Sequence, residues 1–273
     1  MPIVLVPSLI NPPTILDLDA QTSLAEPLTA SGHVMLLDWG GAADRHDLDL
    51  GRHVTDLLVP LLNSLREEPV LVGYCLGGTL ALAAGSLAAV RAVVTLAAPW
   101  RFDAYPETSR EALASIWQQA RPGAQALGVL PIEVLQAAFW SLDPARVVAK
   151  FARLADLQAA EAEAQRFILL EDWANSGEPL PLPAARELVE DLFGADLPGR
   201  GKWMAGRQRV GPPPVPTLHF TASQDLIVPE RSAPPGEHRS CPSGHVGMIV
   251  GHRARTDLHR PLTEWLARIG SRR

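Results

Sequence analysis

The run GYCLGG, residues 73 to 78, sets a cysteine between glycines where an apolar stretch gives way to a small-residue run that favours helix. A strand, a sharp turn bearing a nucleophile and a helix together make a nucleophile elbow, written G-x-S-x-G when the nucleophile is serine. Here Gly73, Cys75 and Gly77 fill the pattern, with Gly78 behind them. The glycines have a steric reason to be there. The nucleophile is held in a strained conformation, and side chains two residues to either side would collide with the neighbouring strand and helix. The turn also sets the sulfur at the positive end of the following helix, which favours the thiolate. Backbone N–H groups at that end, beginning with that of Leu76, can hold an oxyanion. A glycine-flanked cysteine is equally a small buried side chain in a tight turn, so its partners must decide.

In this arrangement the acid follows a later strand and the histidine comes near the end of the chain. TLHFTASQDLIVP reads as a strand followed by a polar loop containing Asp225, and CPSGHVGMIVG places His245 in a glycine-flanked loop after one more short extended stretch. An acid in a strand-terminal loop can accept from Nδ1 of a histidine and fix the tautomer whose Nε2 faces the nucleophile. Asp103, in APWRFDAYP after the preceding strand, is the rival for the acid. His238, His245, His252 and His259 recur every seven residues, which on one helix would suggest a metal stripe. Pro242, Gly244, Gly247 and Gly251 break any such helix, so no metal site is expected.

These residues need a sheet to hold them. Short apolar runs alternate with helical segments: PIVLVP, HVMLLDW, PVLVGY, RAVVTLAAP and, far downstream, PTLHFTA. That alternation predicts a parallel sheet buried on both faces. Ser23 and Glu26 have capping-box spacing, with Gly32 beyond, and frame a short helix. Leu50, Val54, Leu57, Leu58, Leu61, Leu62 and Leu65 fall on one helical face, which Pro60 should kink. From about Arg101 to Gly211 the strand signal stops, and Trp117, Trp140, Trp173 and Trp203 are spread through helical sequence. This predicts an α/β core of residues 1–100 and 212–273 with a helical cap insertion, 101–211. The tryptophans are expected in the core rather than in a pocket.

Bulk properties exclude other classes. The net charge of −6 offers no basic face for nucleic acid or anionic membrane, and the basic end RIGSRR reads as a solubilising tail. Two cysteines make no disulfide framework, which fits a reducing cytoplasm. The start, MPIVLVPSLINPP, lacks the features of a secretory signal, and no run reaches the roughly 18 apolar residues of a membrane span. No metal cluster, P-loop or G-x-G-x-x-G is present, so no bound cofactor is implied.

With these residues in hand, the chain resembles the catalytic domain of the polyhydroxyalkanoate synthases, an α/β-hydrolase family with a cysteine nucleophile. VPSLINPPTILDL and GHVMLLDWG look like its opening stretch, GYCLGGTLALA like its cysteine box, and EDWANSGEPLP like its cap. SQDLIVP and SGHVGMIVG look like its acid and histidine loops. The resemblance runs from about Val4 to Gly251 and implies a mostly parallel central sheet flanked by helices. It implies Cys75 as nucleophile, Asp225 as acid and His245 as base. The polymer-forming members carry a substantial region before the first strand of this match, whereas strand residues here begin at Pro2. That favours a small hydrolase or acyltransferase of hydroxyacyl esters or thioesters over a processive polymerase.

The expected chemistry is covalent. Cys75, activated by His245, attacks an ester or thioester carbonyl, and the oxyanion is held by the N–H of Leu76 and one from Ser8 or Leu9. The partner is a small-molecule acyl ester or acyl-CoA thioester, coenzyme A being part of the substrate, with no nucleic acid or membrane and with a homodimer as the candidate assembly. The alternatives are a lactone hydrolase like the dienelactone hydrolases, which share a similar GYCLGG elbow, a true polyhydroxyalkanoate synthase, and a non-catalytic acyl-binding relative.

Overall fold

The computed structural model describes residues 1–142, 148–149, 151–152 and 162–271. Part of the predicted insertion, and Arg272 and Arg273 of the basic end, lie outside them. Six strands form one sheet: β1 (Pro2–Val6), β2 (His33–Leu36), β3 (Val70–Tyr74), β4 (Ala92–Leu96), β5 (Thr217–Ala222) and β6 (Glu237–Cys241). Their order is β6-β5-β4-β3-β1-β2, and every neighbouring pair is parallel. β3 and β4 are buried along their whole length, and β1 and β5 at all but their first residue, as their unbroken apolar sequences require. HVMLLDW departs from the expectation of burial on both faces. It pairs only over His33–Leu36, at the sheet edge, where His33 and Leu36 are exposed.

The strand order decides where a ligand can sit. From β1 the chain crosses to one side to make β2, then returns past β1 to make β3 on the other side. The loops leaving the C-terminal ends of β1 and β3 therefore diverge and open a crevice at the switch point of the sheet. Loop 7–12 and Cys75 flank that crevice.

Helices cover both faces. A one-turn helix, Ala25–Leu28, begins where the Ser23 hydroxyl accepts from the Glu26 N–H at 2.8 Å, one half of the expected capping box. Helix α1 occupies residues 50–63, with a wide π-type turn at His53–Leu58 just ahead of Pro60. Proline lacks the N–H that would bond four residues back, and the extra residue in the turn relieves the clash of its ring. The buried residues accordingly recur every four positions, Leu50, Val54, Leu58 and Leu62, while Leu57 and Leu61 rotate out to solvent. Helix α2 (Leu76–Leu87) follows β3 and packs its alanines and glycines against the sheet.

Between β4 and β5 lie helices α3 (Glu107–Leu127), α4 (Ile132–Ser141), α5 (Ala162–Asn175) and α6 (residues 182–194), while α7 (Arg260–Gly270) closes the chain. The segment is not free of strands. Val129–Leu130 pairs antiparallel with Leu180–Pro181, and Met204–Ala205 with Gln208–Arg209. These two-residue ladders pin loop ends and are too short to leave a period-2 signal in the sequence.

Glu187 of α6 ties this layer to the core. Its buried carboxylate accepts from Trp203 Nε1 at 2.6 Å and from the Gly51 N–H of α1 at 3.1 Å. Burial pushes Glu187 up to about 7 from its ordinary 4.5, against the opposing pull of these hydrogen bonds. A carboxyl raised on folding holds its proton longer in the native than in the unfolded chain, so its contribution to stability falls as pH rises from 4.5 through 7. Between pH 5 and pH 8 the loss is expected to be about 2 kcal/mol, and Glu187→Gln should flatten that part of the urea-unfolding profile. An unchanged slope in the variant would place the pH dependence elsewhere.

Candidate active site

Cys75 stands between the last residue of β3 and the first of α2 with φ 54° and ψ −131°, a conformation that residues with a side chain rarely adopt. Neighbouring backbone holds it there: the Cys75 N–H donates to the Leu96 carbonyl at 2.9 Å, and the Gly78 N–H donates to the Cys75 carbonyl at 2.9 Å. The flanking glycines are sterically required. A Cβ on Gly73 would stand 2.5 Å from Gly78 Cα, and one on Gly77 would overlap the carbonyl oxygens of Val6 and Pro7. The second clash shows how closely the end of β1 lies on the elbow.

His245 and Asp225 converge on the same point from the loops after β6 and β5. His245 Nδ1 is 2.6 Å from Asp225 Oδ2, and the other carboxylate oxygen accepts from the N–H groups of Ile227 at 2.8 Å and Val228 at 2.9 Å. An ionised carboxylate only accepts, so the proton lies on Nδ1, and the remaining ring nitrogen is the one left to hydrogen-bond Cys75. The Asp225 side chain is fully buried and that of His245 is 9% exposed. Burial works against a charged imidazole here, but the negative charges of Asp225 and Cys75 and their hydrogen bonds outweigh it and push His245 up to about 10.

Tyr74, which the sequence reading passed over, completes this wall. Its ring lies 5.0 Å from that of His245, tilted by 30°, and its hydroxyl donates to the His245 carbonyl at 3.3 Å. Burial and the nearby Cys75 and Asp225 keep the phenol neutral, well above its ordinary range. Its place beside Cys75 in the chain was the available signal, masked because a tyrosine ending a strand reads as core.

The oxyanion candidates separate. Ser8 lines a cavity together with Cys75 and His245, and Leu76 lines a second cavity with Cys75. Leu9 does neither; it is buried in the core and, with Ser8, borders a separate cleft. The Ser8 hydroxyl accepts from the Ile10 N–H at 3.3 Å, which tightens the turn. Loop 7–12 is fastened to α5 and the residues after it: Asn11 Nδ2 donates to the Ala174 carbonyl at 3.1 Å, Trp173 Nε1 to that of Pro12 at 2.9 Å, and the Glu178 N–H to that of Ile10 at 3.1 Å. Asp103 is exposed beside Asp196 and has no part in the site.

Two cavities meet at Cys75. One, of about 790 Å³, is walled by apolar side chains including Phe102, Trp117, Val134 and Val189. The other, of about 810 Å³, is more polar, with Ser8, Asn11, Gln136, Asn175 and His245 in its wall. The expectation that the tryptophans belong to the core holds fully only for Trp203, at 1% exposure. Trp117 and Trp173 are buried yet border the two cavities, and Trp140, 49% exposed, borders the polar one. A single amphipathic side chain can serve core and pocket at once when the pocket lies between the layers.

Among the described residues, no three histidine, cysteine, aspartate or glutamate side chains gather as a metal site, and no helix is long and apolar enough to cross a membrane.

No protein-family model matches the chain. It is 28% identical over 98% of its length to the poly(3-hydroxyalkanoate) polymerase subunit PhaC of Haloferax mediterranei, of which it spans 58%. To the protein of the same name in Allochromatium vinosum it is 26% identical over 97% of its length, spanning 80% of that relative. Among solved structures it superposes on a monoacylglycerol lipase of Paleococcus ferrophilus with a TM-score of 0.60 at 16% identity, covering 98% of this chain and 94% of that one. It superposes on an esterase of Thermogutta terrifontis with a TM-score of 0.55 at 15% identity, covering 99% and 91%. At such identities the structures speak for the fold alone. A parallel sheet with an elbow at its switch point gives the chain an α/β-hydrolase fold, and over nearly its whole length its sequence is similar to poly(3-hydroxyalkanoate) polymerase subunits.

Proposed function

We propose that the protein transfers acyl groups through an acyl-cysteine, with Cys75 as nucleophile, His245 as base and acid, and Asp225 as the residue that orients the histidine. The observation that carries the reading is the Asp225–His245 hydrogen bond set in the wall of the cavity that His245 shares with a cysteine held at positive φ on an elbow. The sulfur attacks the carbonyl carbon of an ester or thioester, and the S–C bond forms as the oxyanion develops beside the Leu76 N–H and a second N–H from loop 7–10, for which Ser8 is the better placed candidate. When the bond to the leaving group breaks, the proton on His245 Nε2 goes to the departing oxygen or sulfur. In the second half-reaction His245 takes a proton from water or from an alcohol, which attacks the acyl-cysteine and returns the thiolate.

A thiolate suits thioesters because exchange of one thiol for another is nearly thermoneutral. The substrates are therefore read as hydroxyacyl esters or CoA thioesters, with the segment over the sheet governing whether water or a hydroxyl is the acceptor. Incubation with 3-hydroxybutyryl-CoA tests this directly. Release of free thiol, with an acyl adduct on Cys75 in the mass spectrum of the quenched enzyme, is the expected result. No thiol release alongside turnover of a simple lactone favours the lactone-hydrolase reading, and no adduct with either overturns covalent acyl transfer.

A further inference from the structure

The two cavities at Cys75 differ in chemistry, and the difference points to the acyl group. Resting on the acyl-cysteine reading above, we propose that the apolar cavity is the acyl-binding arm, that it selects acyl groups carrying an apolar tail longer than butyryl, and that Trp117 of α3 sets its limit.

Three observations carry this. The arm of about 790 Å³ begins at Cys75 and Leu76 and runs between the sheet and helices α3, α4 and α6, bordered by Trp117, Val134 and Val189. Its side-chain polar groups are already engaged. The Tyr105 hydroxyl bonds Ser232, and Trp117 Nε1 donates to Glu190 Oε1 at 2.9 Å. Among the described residues, the Tyr105 hydroxyl and Trp117 Nε1 are the only side-chain polar groups of the wall beyond the thiol, so a hydroxyl or amide placed elsewhere in the arm is buried unsatisfied, which is costly. A substrate hydroxyl near the carbonyl instead falls toward the polar cavity, where Ser8, Asn11 and His245 stand.

Trp117 is placed to act as a limit because it is locked. It borders this arm and neither the polar cavity nor the outer cleft near Arg231. Its indole is fixed by Glu190, which is itself held by Arg121 at 3.4 Å and Arg186 at 3.3 Å. A wall residue that cannot swing aside fixes the size of the group it admits.

The test is a series of 4-nitrophenyl esters from butanoate to dodecanoate, read as kcat/KM and as the acyl adduct on Cys75. For the wild type kcat/KM should rise about two- to fourfold per methylene, the gain from removing a CH₂ group from water, until the arm is filled. Trp117→Ala should move the optimum to longer chains. Val134→Phe, at a half-buried position across the arm, should move it to shorter ones and keeps the test sound if the alanine variant does not fold. Trp117→Phe, which keeps most of the ring but loses the hydrogen bond, should broaden the profile. A kcat/KM that is equal at all lengths, or an optimum that neither variant moves, overturns the acyl-arm assignment while leaving acyl-cysteine chemistry intact. Absence of an acyl adduct on Cys75 in the mass spectrum of the quenched enzyme with every ester overturns the covalent reading, and this assignment with it.

Discussion

Replacing Cys75 by alanine should lower kcat/KM toward an acyl thioester by roughly 1,000-fold or more and leave no acyl adduct on the protein. The size of the effect follows from what the substitution removes. In the proposed acyl transfer the sulfur is the atom that bonds the acyl carbon, and the rest of the site would supply only the residual catalysis that remains when a nucleophile is lost. The variant is informative because it keeps the fold. Cys75 already carries a Cβ at φ 54°, so alanine adds no new clash and no new backbone strain. The Cys75 N–H still bonds Leu96, and Gly78 still bonds the carbonyl at position 75. Melting temperature and the unfolding midpoint should therefore stay close to those of the wild type, and turnover within tenfold of wild type would remove Cys75 from the mechanism.

Asp225→Asn should cost about as much, roughly 1,000-fold in acylation, by putting the proton of His245 on the wrong nitrogen. Asp225 Oδ1 accepts from two backbone N–H groups, and an asparagine oxygen would take that place. Its NH₂ group would then face His245 Nδ1, where Asp225 Oδ2 accepts in the wild type. Nδ1 would have to accept, Nε2 would carry the hydrogen, and no lone pair would be left to take a proton from the sulfur. The substitution also removes one of the two negative charges that hold His245 up at about 10. A histidine raised on folding stabilises the protein fully below its ordinary value of 6.5 and loses that contribution as pH rises toward 10, so the variant should lose this alkaline decline in unfolding free energy. At neutral pH its Cys75 should react with iodoacetamide no faster than a simple thiol, whereas the wild-type residue should react faster. Equal alkylation rates in the two proteins would mean that Asp225 does not reach the sulfur through His245.

The chain by itself determined the sheet, the elbow and the order of Cys75, Asp225 and His245 along it, because each is a local pattern. Buried parallel strands read as apolar runs, a positive-φ nucleophile needs glycine on either side, and acid and histidine fall in the loops after β5 and β6 wherever those strands lie. Edge position is not local, which is why HVMLLDW read as a buried strand and is half exposed. Tertiary structure also separated Ser8 from Leu9, since only Ser8 borders the cavity that holds Cys75 and His245. It decided the double duty of Trp117 and Trp173, because a cavity between layers has no periodicity of its own. Glu187 was equally hidden: its partners lie at Gly51 and Trp203, and a carboxylate in an amphipathic helix reads as solvated until the fold brings those donors to it. Cys75 was legible because its demands fall on its immediate neighbours. The cavity beside it was not, because that space is bounded by helices far apart in the chain and closed only by their packing.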